Sequence, residues 1–170
     1  TLLNHNRNPQ LTRAQIEEAL REHTGAEKIV WLGEGVYNDE TDGHVDNLAC
    51  FVRPGVIALT WTDDESDPQH AISLDARRRL EAQTGVDAID GTLPRRAGDR
   101  LAASYVNYYT ANTRIVMPLL DERFDDRARE ILAAAHPGRE VVGVPAREIL
   151  LGGGGIHCIT QQVPSVRGPR

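Results

Sequence analysis

The sequence predicts an α+β chain assembled from ββαβ repeats, and three observations carry that reading. Apolar runs of strand length come in pairs joined by short turns. Each pair is followed by a helix-length segment and then by one more strand. The whole order occurs twice, the second time displaced by about 55 residues, although the residues of the two copies are hardly alike,. A ββαβ unit cannot bury its own sheet face, so successive units are expected to close around a common axis.

Taken in order, Thr1-Leu2-Leu3 ahead of Asn4-His5-Asn6-Arg7-Asn8-Pro9 reads as the end of a strand entering a turn. A helix follows, with Thr12 as N-cap, Gln15 three residues on, Ile16, Ala19 and Leu20 along one face, and Gly25 as its stop,. Lys28 to Leu32 reads as a buried strand, and the polar stretch from Gly33 to Asn47 as an irregular loop of the kind on which function concentrates,.

The first complete unit then comprises strand Leu48 to Arg53, turn Pro54-Gly55, strand Val56 to Trp61, a helix from Pro68 to Gln83 and strand Val86 to Leu93. The second comprises strand Ala103 to Tyr109, turn Thr110 to Thr113, strand Arg114 to Leu119, a helix from Arg123 to Ala135 and strand Glu140 to Val144. Residues 1–33 fit the same template with its opening strand missing. The expected organisation is therefore a partial module over 1–33, modules over 48–93 and 103–144, and a further strand over 150–162. Two and a half units leave the ring open, so the chain is expected to be the C-terminal part of something longer.

With 40% hydrophobic and 26% charged residues among 170, the composition is that of an ordinary soluble globular protein,. No apolar run approaches membrane-span length and no signal segment opens the chain, which makes the cytoplasm the expected compartment. A net charge of −6 with scattered arginines argues against a nucleic-acid partner and suits a small cationic substrate,. Two cysteines are too few for a disulfide framework,. Cys50, inside Leu48-Ala49-Cys50-Phe51-Val52, reads as a buried core thiol.

Cys158 is different. Gly152-Gly153-Gly154-Gly155 precedes Ile156-His157-Cys158-Ile159, so freely bending backbone delivers a thiol onto a short apolar run expected to be a strand,. Such a thiol is a nucleophile candidate in need of a base and a charge partner. His44-Val45-Asp46 supplies both types two residues apart, on one face if the backbone is extended. The blander readings are a surface turn for His-x-Asp and a tight bend for the glycines. A zinc site is disfavoured by spacing, since adjacent His157 and Cys158 on a strand would face opposite ways. A phosphate loop is disfavoured because no Gly-Lys-Ser/Thr follows the glycines.

Thr41-Asp42-Gly43-His44-Val45-Asp46-Asn47 and Gly152 through Gln162 together resemble agmatine deiminases of the bacterial-type peptidylarginine deiminase family. Asn6-Arg7-Asn8-Pro9, Arg100-Leu101-Ala102-Ala103-Ser104-Tyr105-Val106-Asn107 and Val144-Pro145-Ala146-Arg147-Glu148 fit in the same order. The resemblance implies a pentein fold, five ββαβ modules about a pseudo-fivefold axis, of which this chain has about two and a half. It also implies hydrolysis of agmatine to N-carbamoylputrescine and ammonia, in polyamine synthesis, with no metal or organic cofactor. Cys158 would be the nucleophile, His44 the proton shuttle and Asp46 the guanidinium ligand. Asp42, Glu40, Gly154 and Gly155 would complete the substrate site, Asp42 and Glu40 receiving the distal ammonium.

The implied partners are thus a small guanidine substrate, neither nucleic acid nor membrane, and a possible homo-oligomer. Where the family commonly has Asn before Ile-His-Cys, this chain has Gly155, a change expected to alter only a local hydrogen bond. The family's N-terminal Glu-Gly-Gly segment and a further Asp have no counterpart in these residues, so activity is expected to need that other half. A peptidylarginine deiminase, an amidinotransferase and a non-catalytic fragment with exposed sheet edges are the competing readings.

Overall fold

Two three-stranded sheets of the same topology organise the chain, described by a computed structural model over residues 1–84, 87–92 and 101–163, with residues 83, 84 and 87–92 given in backbone only. In the first, β1 (Ala49–Arg53) pairs antiparallel with β2 (Val56–Trp61), and β2 pairs parallel with β3 (Asp87–Thr92) after the crossover helix α3 (Pro68–Thr84). In the second, β4 (Tyr109–Thr110) and β5 (Arg114–Leu119) are antiparallel, and β5 runs parallel to β6 (Glu140–Pro145) after helix α4 (Asp125–Ala135). The ββαβ repeat is therefore present twice. Val86 and Leu93, the expected ends of the third strand, lie outside the described residues, as does Arg100.

Local chemistry explains most boundaries. Helix α1 (Arg13–Thr24) has the expected capping box, with Thr12 and Gln15 serving each other's backbone N–H groups, and it ends at Gly25 with φ of 71°,. Helix α3 starts with Pro68, where a missing N–H costs nothing, and the buried Asp67 carboxylate accepts from the Gln69 N–H at 3.0 Å,. On α4 the buried Ala128, Leu132 and Ala135 fall at helical spacing; Ala128 and Leu132 share the core of β5, and Ala135 faces Val52 and Ala58 of the first sheet,.

Each sheet has its own core. Leu48, Ile57, Leu59, Trp61, Ala76 and Leu80 fill the first, and Ile115, Met117, Leu120, Leu132 and Ile156 belong to the second. A fully buried aliphatic side chain such as Ile115 contributes roughly 1.5–3 kcal/mol,. Val52, Ala58, Val106 and Ala135 join the two units, reinforced by Arg53 donating to the Ala135 carbonyl at 3.0 Å.

Five expectations are corrected. Thr1–Leu3 lies in turn structure, and Lys28–Leu32 forms no ladder because no strand pairs with it among the described residues. The expected strand from Ala103 shrinks to β4, because the backbone there closes a turn: the Val106 N–H donates to the Ser104 hydroxyl at 3.1 Å and the Asn107 N–H to the Ser104 carbonyl at 3.3 Å. Residues 45–48 form a helical turn, α2 (Val45–Leu48), in place of extended chain. After the short helix α5 (Arg147–Leu150), the expected nucleophile strand is instead a 3₁₀ turn, His157–Ile159, whose C-cap Thr160 donates back to the His157 carbonyl.

Candidate active site

The polar loop that begins at Gly33 is anchored at both ends of its course. The Tyr37 N–H donates to Gln69 Oε1 at 2.8 Å, and Gln69 in turn donates to Ser73, whose hydroxyl reaches the Thr60 carbonyl at 2.6 Å. This fully buried polar chain fixes the loop to α3 and β2,. Farther along, Asp39 accepts the N–H and hydroxyl of Thr41 at 2.8 and 2.6 Å, and the Asn47 amide at 3.4 Å.

Helix α2 leaves this loop carrying Asp46 and Asn47, with His44 at its N-cap. The Thr60 hydroxyl donates to the Asn47 carbonyl at 2.7 Å, and its one proton being spent, it accepts from Ser104 at 2.8 Å,. The short helix is thereby bolted to the sheet beneath it.

The 3₁₀ turn meets α2 at Asp46. His157 Nδ1 lies 2.7 Å from Asp46 Oδ2, and Cys158 Sγ donates to the same oxygen at 3.2 Å. The tight turn is what allows this: adjacent residues on a strand would diverge, whereas here His157 and Cys158 converge on one carboxylate. The expectation that they could not face one site is overturned. The other oxygen, Asp46 Oδ1, is buried without a hydrogen-bond partner.

His44 sits apart from the thiol in its contacts. Its Nε2 is 3.1 Å from Arg7 Nη2, and because a guanidinium only donates, that nitrogen is the acceptor,. Arg7 also donates to the Thr41 carbonyl at 3.2 Å and pairs with Asp42 at 3.8 Å. Asp42 thus faces a resident guanidinium. Glu40, with Asp39, Asn47, Gly153 and Gly154, lines a second cavity of about 20 Å³, room for about one water,.

A larger cavity of about 510 Å³ opens on His44, Asp46 and His157. Its far wall is residues 29–35, including Trp31 and Glu34.

Burial pushes the Asp46 carboxyl up, but the hydrogen bonds from His157 and Cys158, with the charges of His157 and His44, outweigh it and leave Asp46 lowered, hence ionised at neutral pH,. Cys158 moves the other way. Desolvation raises its thiol, and the Asp46 charge adds to that, against the Gly155 backbone and Asn107 donors, which favour the thiolate,. Gly154 and Gly155 are where the chain needs glycine: a Cβ at Gly154 would stand 3.4 Å from Sγ, and one at Gly155 would overlap the Asn107 side-chain oxygen.

Asp46 and Cys158 are therefore in contact, His44 shares the cavity with Asp46, and Gly154 and Gly155 adjoin the thiol's turn. Sequence reasoning gave no role to Asn107 or Arg7, and placed His157 only in a discounted metal site. A side-chain amide near a cysteine has no spacing rule to reveal it.

Known proteins align with this geometry along nearly the whole chain. The family model for Porphyromonas-type peptidyl-arginine deiminase matches residues 1–164. A Latilactobacillus sakei protein assigned as an agmatine deiminase is 56% identical, the match covering 98% of this chain and 53% of that protein. The agmatine deiminase of Enterococcus faecalis superimposes with a TM-score of 0.87 at 34% identity, over 96% of this chain and 52% of that one. A cysteine-to-serine variant of C. jejuni agmatine deiminase with substrate bound does so with 0.85 at 32%, over 92% and 48%. The chain spans about half the length of the curated relatives it matches. Its α+β architecture is the pentein fold of these deiminases.

Proposed function

The chain belongs to the Porphyromonas-type peptidyl-arginine deiminase family, and from that membership and the site's geometry we propose that it carries the nucleophile of an enzyme hydrolysing agmatine to N-carbamoylputrescine and ammonia. The observation that carries the reading is Asp46. Its Oδ1 is a buried, unpaired acceptor on a carboxylate held ionised, and its Oδ2 lies 3.2 Å from Cys158 Sγ. A buried anionic oxygen without a donor is costly unless a ligand supplies one. A guanidinium N–H does so, and the ligand's carbon is then brought to the sulfur.

The steps follow from the groups. His44 releases Arg7 and takes the thiol proton on the freed Nε2 as the substrate cation arrives on Asp46, and Sγ forms a bond to the guanidinium carbon. His44 returns that proton to the departing ammonia, leaving a thiouronium on Cys158. Water then loses a proton to His44 and adds to the same carbon, the C–S bond breaks, and the thiolate recovers a proton. The sum is agmatine plus water giving N-carbamoylputrescine plus ammonia. Asp42 and Glu40 are assigned to the distal ammonium, for which Asp42 must exchange Arg7 for substrate. The chain spans about half the length of its relatives, so the reading assigns further carboxylates to a half of the kind they carry, and activity is to be assayed in the complete gene product.

The test is ureido product formed from agmatine by the complete gene product and abolished in Cys158→Ala. No turnover of agmatine by the complete wild-type protein overturns the proposal. Peptide-bound arginine is the second substrate to assay, since the matching family model is described by that activity. Turnover of a peptidyl-arginine exceeding that of agmatine moves the assignment to it.

A further inference from the structure

Every polar atom of the Asn107 side chain is committed between the two halves of the site. Its Nδ2 donates to Cys158 Sγ at 3.2 Å and to Asn47 Oδ1 at 2.9 Å, and its Oδ1 accepts the His157 N–H at 2.8 Å. The residue is 1% exposed. The backbone N–H of His157 also points to the Asn107 carbonyl, at 3.3 Å. The partners fix which way the amide faces. The His157 N–H needs an acceptor and Asn47 Oδ1 needs a donor, so the NH₂ group must turn toward the sulfur.

We infer that Asn107 serves the reaction directly, as the hydrogen-bond donor that orients Cys158 Sγ and stabilises its thiolate. This rests on the reading of Cys158 as nucleophile. The physical case is the mismatch around that sulfur: Asp46 favours the protonated thiol, and the thiolate is needed for attack,. A neutral donor offsets the repulsion without competing with the cation for Asp46. A lysine or arginine in its place would pair with Asp46 and close the guanidinium site.

The pairing with Asn47 adds a second duty. Asn47 is itself held by Asp39 and, through its carbonyl, by Thr60. Asn107 therefore sets the 3₁₀ turn against α2, and so sets the distance between sulfur and Asp46. Gly155 makes room for it, since any Cβ there would overlap the amide oxygen. Glycine at 155 and asparagine at 107 act as one device.

The experiment is the pH dependence of Cys158 alkylation by iodoacetamide in the complete gene product, read by mass spectrometry of the Cys158 peptide. Asn107→Leu keeps the side chain's approximate size and introduces no charge while removing the donor. Gly155→Ala keeps Asn107 but displaces its amide. Both are expected to move the alkylation midpoint to higher pH and to slow labelling at pH 7 by about tenfold, the weight of one hydrogen bond to a charged group. Agmatine turnover should fall in kcat by a similar factor, with KM within about twofold because Asp46 still holds the cation.

Thermal unfolding separates this from loss of fold, and a merely structural asparagine would leave the midpoint where it is. If Asn107→Leu does not fold, Gly155→Ala carries the test alone. An unmoved midpoint in either folded variant overturns the inference. Failure of the nucleophile reading is separate: it would appear as full turnover in Cys158→Ala, whatever alkylation shows.

Discussion

The two cysteines of this chain lie in opposite surroundings. Cys50 sits on β1, half-buried and packed against the second module's core and the cluster that joins the two units, where burial pushes its thiol up to about 11 in spite of a hydrogen bond with Tyr108. Cys158 stands exposed on a 3₁₀ turn, with a side-chain donor on one side and a half-buried carboxylate on the other. Asp46 raises both thiols through its charge. What separates them is that only Cys158 has directed polar groups beside Asp46's unpaired oxygen. Burial alone makes a thiol inert; a reactive one needs donors aimed at the sulfur and an opening for its partner.

The largest expected effect breaks the comparison outright. Cys158→Ala should lower agmatine turnover by at least about 10⁴-fold, as loss of a nucleophile does. Cys50→Ala should leave kcat within about threefold and cost roughly 1 kcal/mol of stability from the vacated core position. Ureido product and a denaturant melt measure the two. Equal loss of activity in both variants would remove the functional distinction between the regions.

Next in size is Asp46→Asn. Removing the carboxylate's charge takes away the proposed cation site, and kcat/KM for agmatine should fall about 10²–10³-fold. The same change should make both thiols more readily ionised, since the Asp46 charge raises each,. Alkylation of Cys158 at neutral pH should therefore quicken, by about threefold, while catalysis collapses. A slower labelling rate would show that Asp46 assists the thiolate rather than the substrate.

How far the sequence carried this comparison depends on the interaction range. The capping box of α1, the Pro54-Gly55 hairpin, the crossover helices and the ββαβ order are all local patterns, and each was readable to within a few residues except the opening strand of the second unit. The strand expectations at 28–32 and 156–159 failed because an apolar run is strand only if something pairs with it. His44-Val45-Asp46 was legible as chemistry but not as conformation: the helical turn α2 sends Asp46 to the thiol and leaves His44 with Arg7. Asn107 was invisible because its meaning lies in partners 60 and 51 positions away in the chain. Gly155 was read as a minor departure from the family pattern, and only the packing shows that it opens the space Asn107 fills.

A third contrast compares the thiols directly. In one sample of the complete protein at pH 8, iodoacetamide should label Cys158 at least about tenfold faster than Cys50, because only the second is both packed in a core and held near 11,. Peptide mass spectrometry of a time course reads both rates at once. Comparable rates would mean that β1 opens readily, and that Cys50 is protected by nothing more than averaging over an accessible state.

The smallest effect belongs to the Cys50 side alone. Tyr108, which touches Cys50, also bonds the buried His136, with Nε2 2.9 Å from the phenol oxygen. Arg139 approaches His136 Nδ1 at 3.4 Å, and since arginine can only donate, Nδ1 is the acceptor and Nε2 carries the proton,. Burial first, then the charges of Arg139 and Arg53, lower the His136 pKa below its usual 6.5. The unfolded chain therefore binds a proton at a pH where the folded one does not, and stability should be full above about 6.5 and decline as pH falls toward the folded value. Thermal unfolding between pH 7.5 and 5.5 should show this as a drop of about 2–4 °C for each kcal/mol lost. His136→Gln, which keeps a donor for Tyr108 but cannot ionise, should flatten that slope while leaving the Cys158 alkylation profile unchanged. A profile that moves with it would mean the two thiol regions are coupled through the Tyr108 side of the core, and the separation drawn between them would have to be given up.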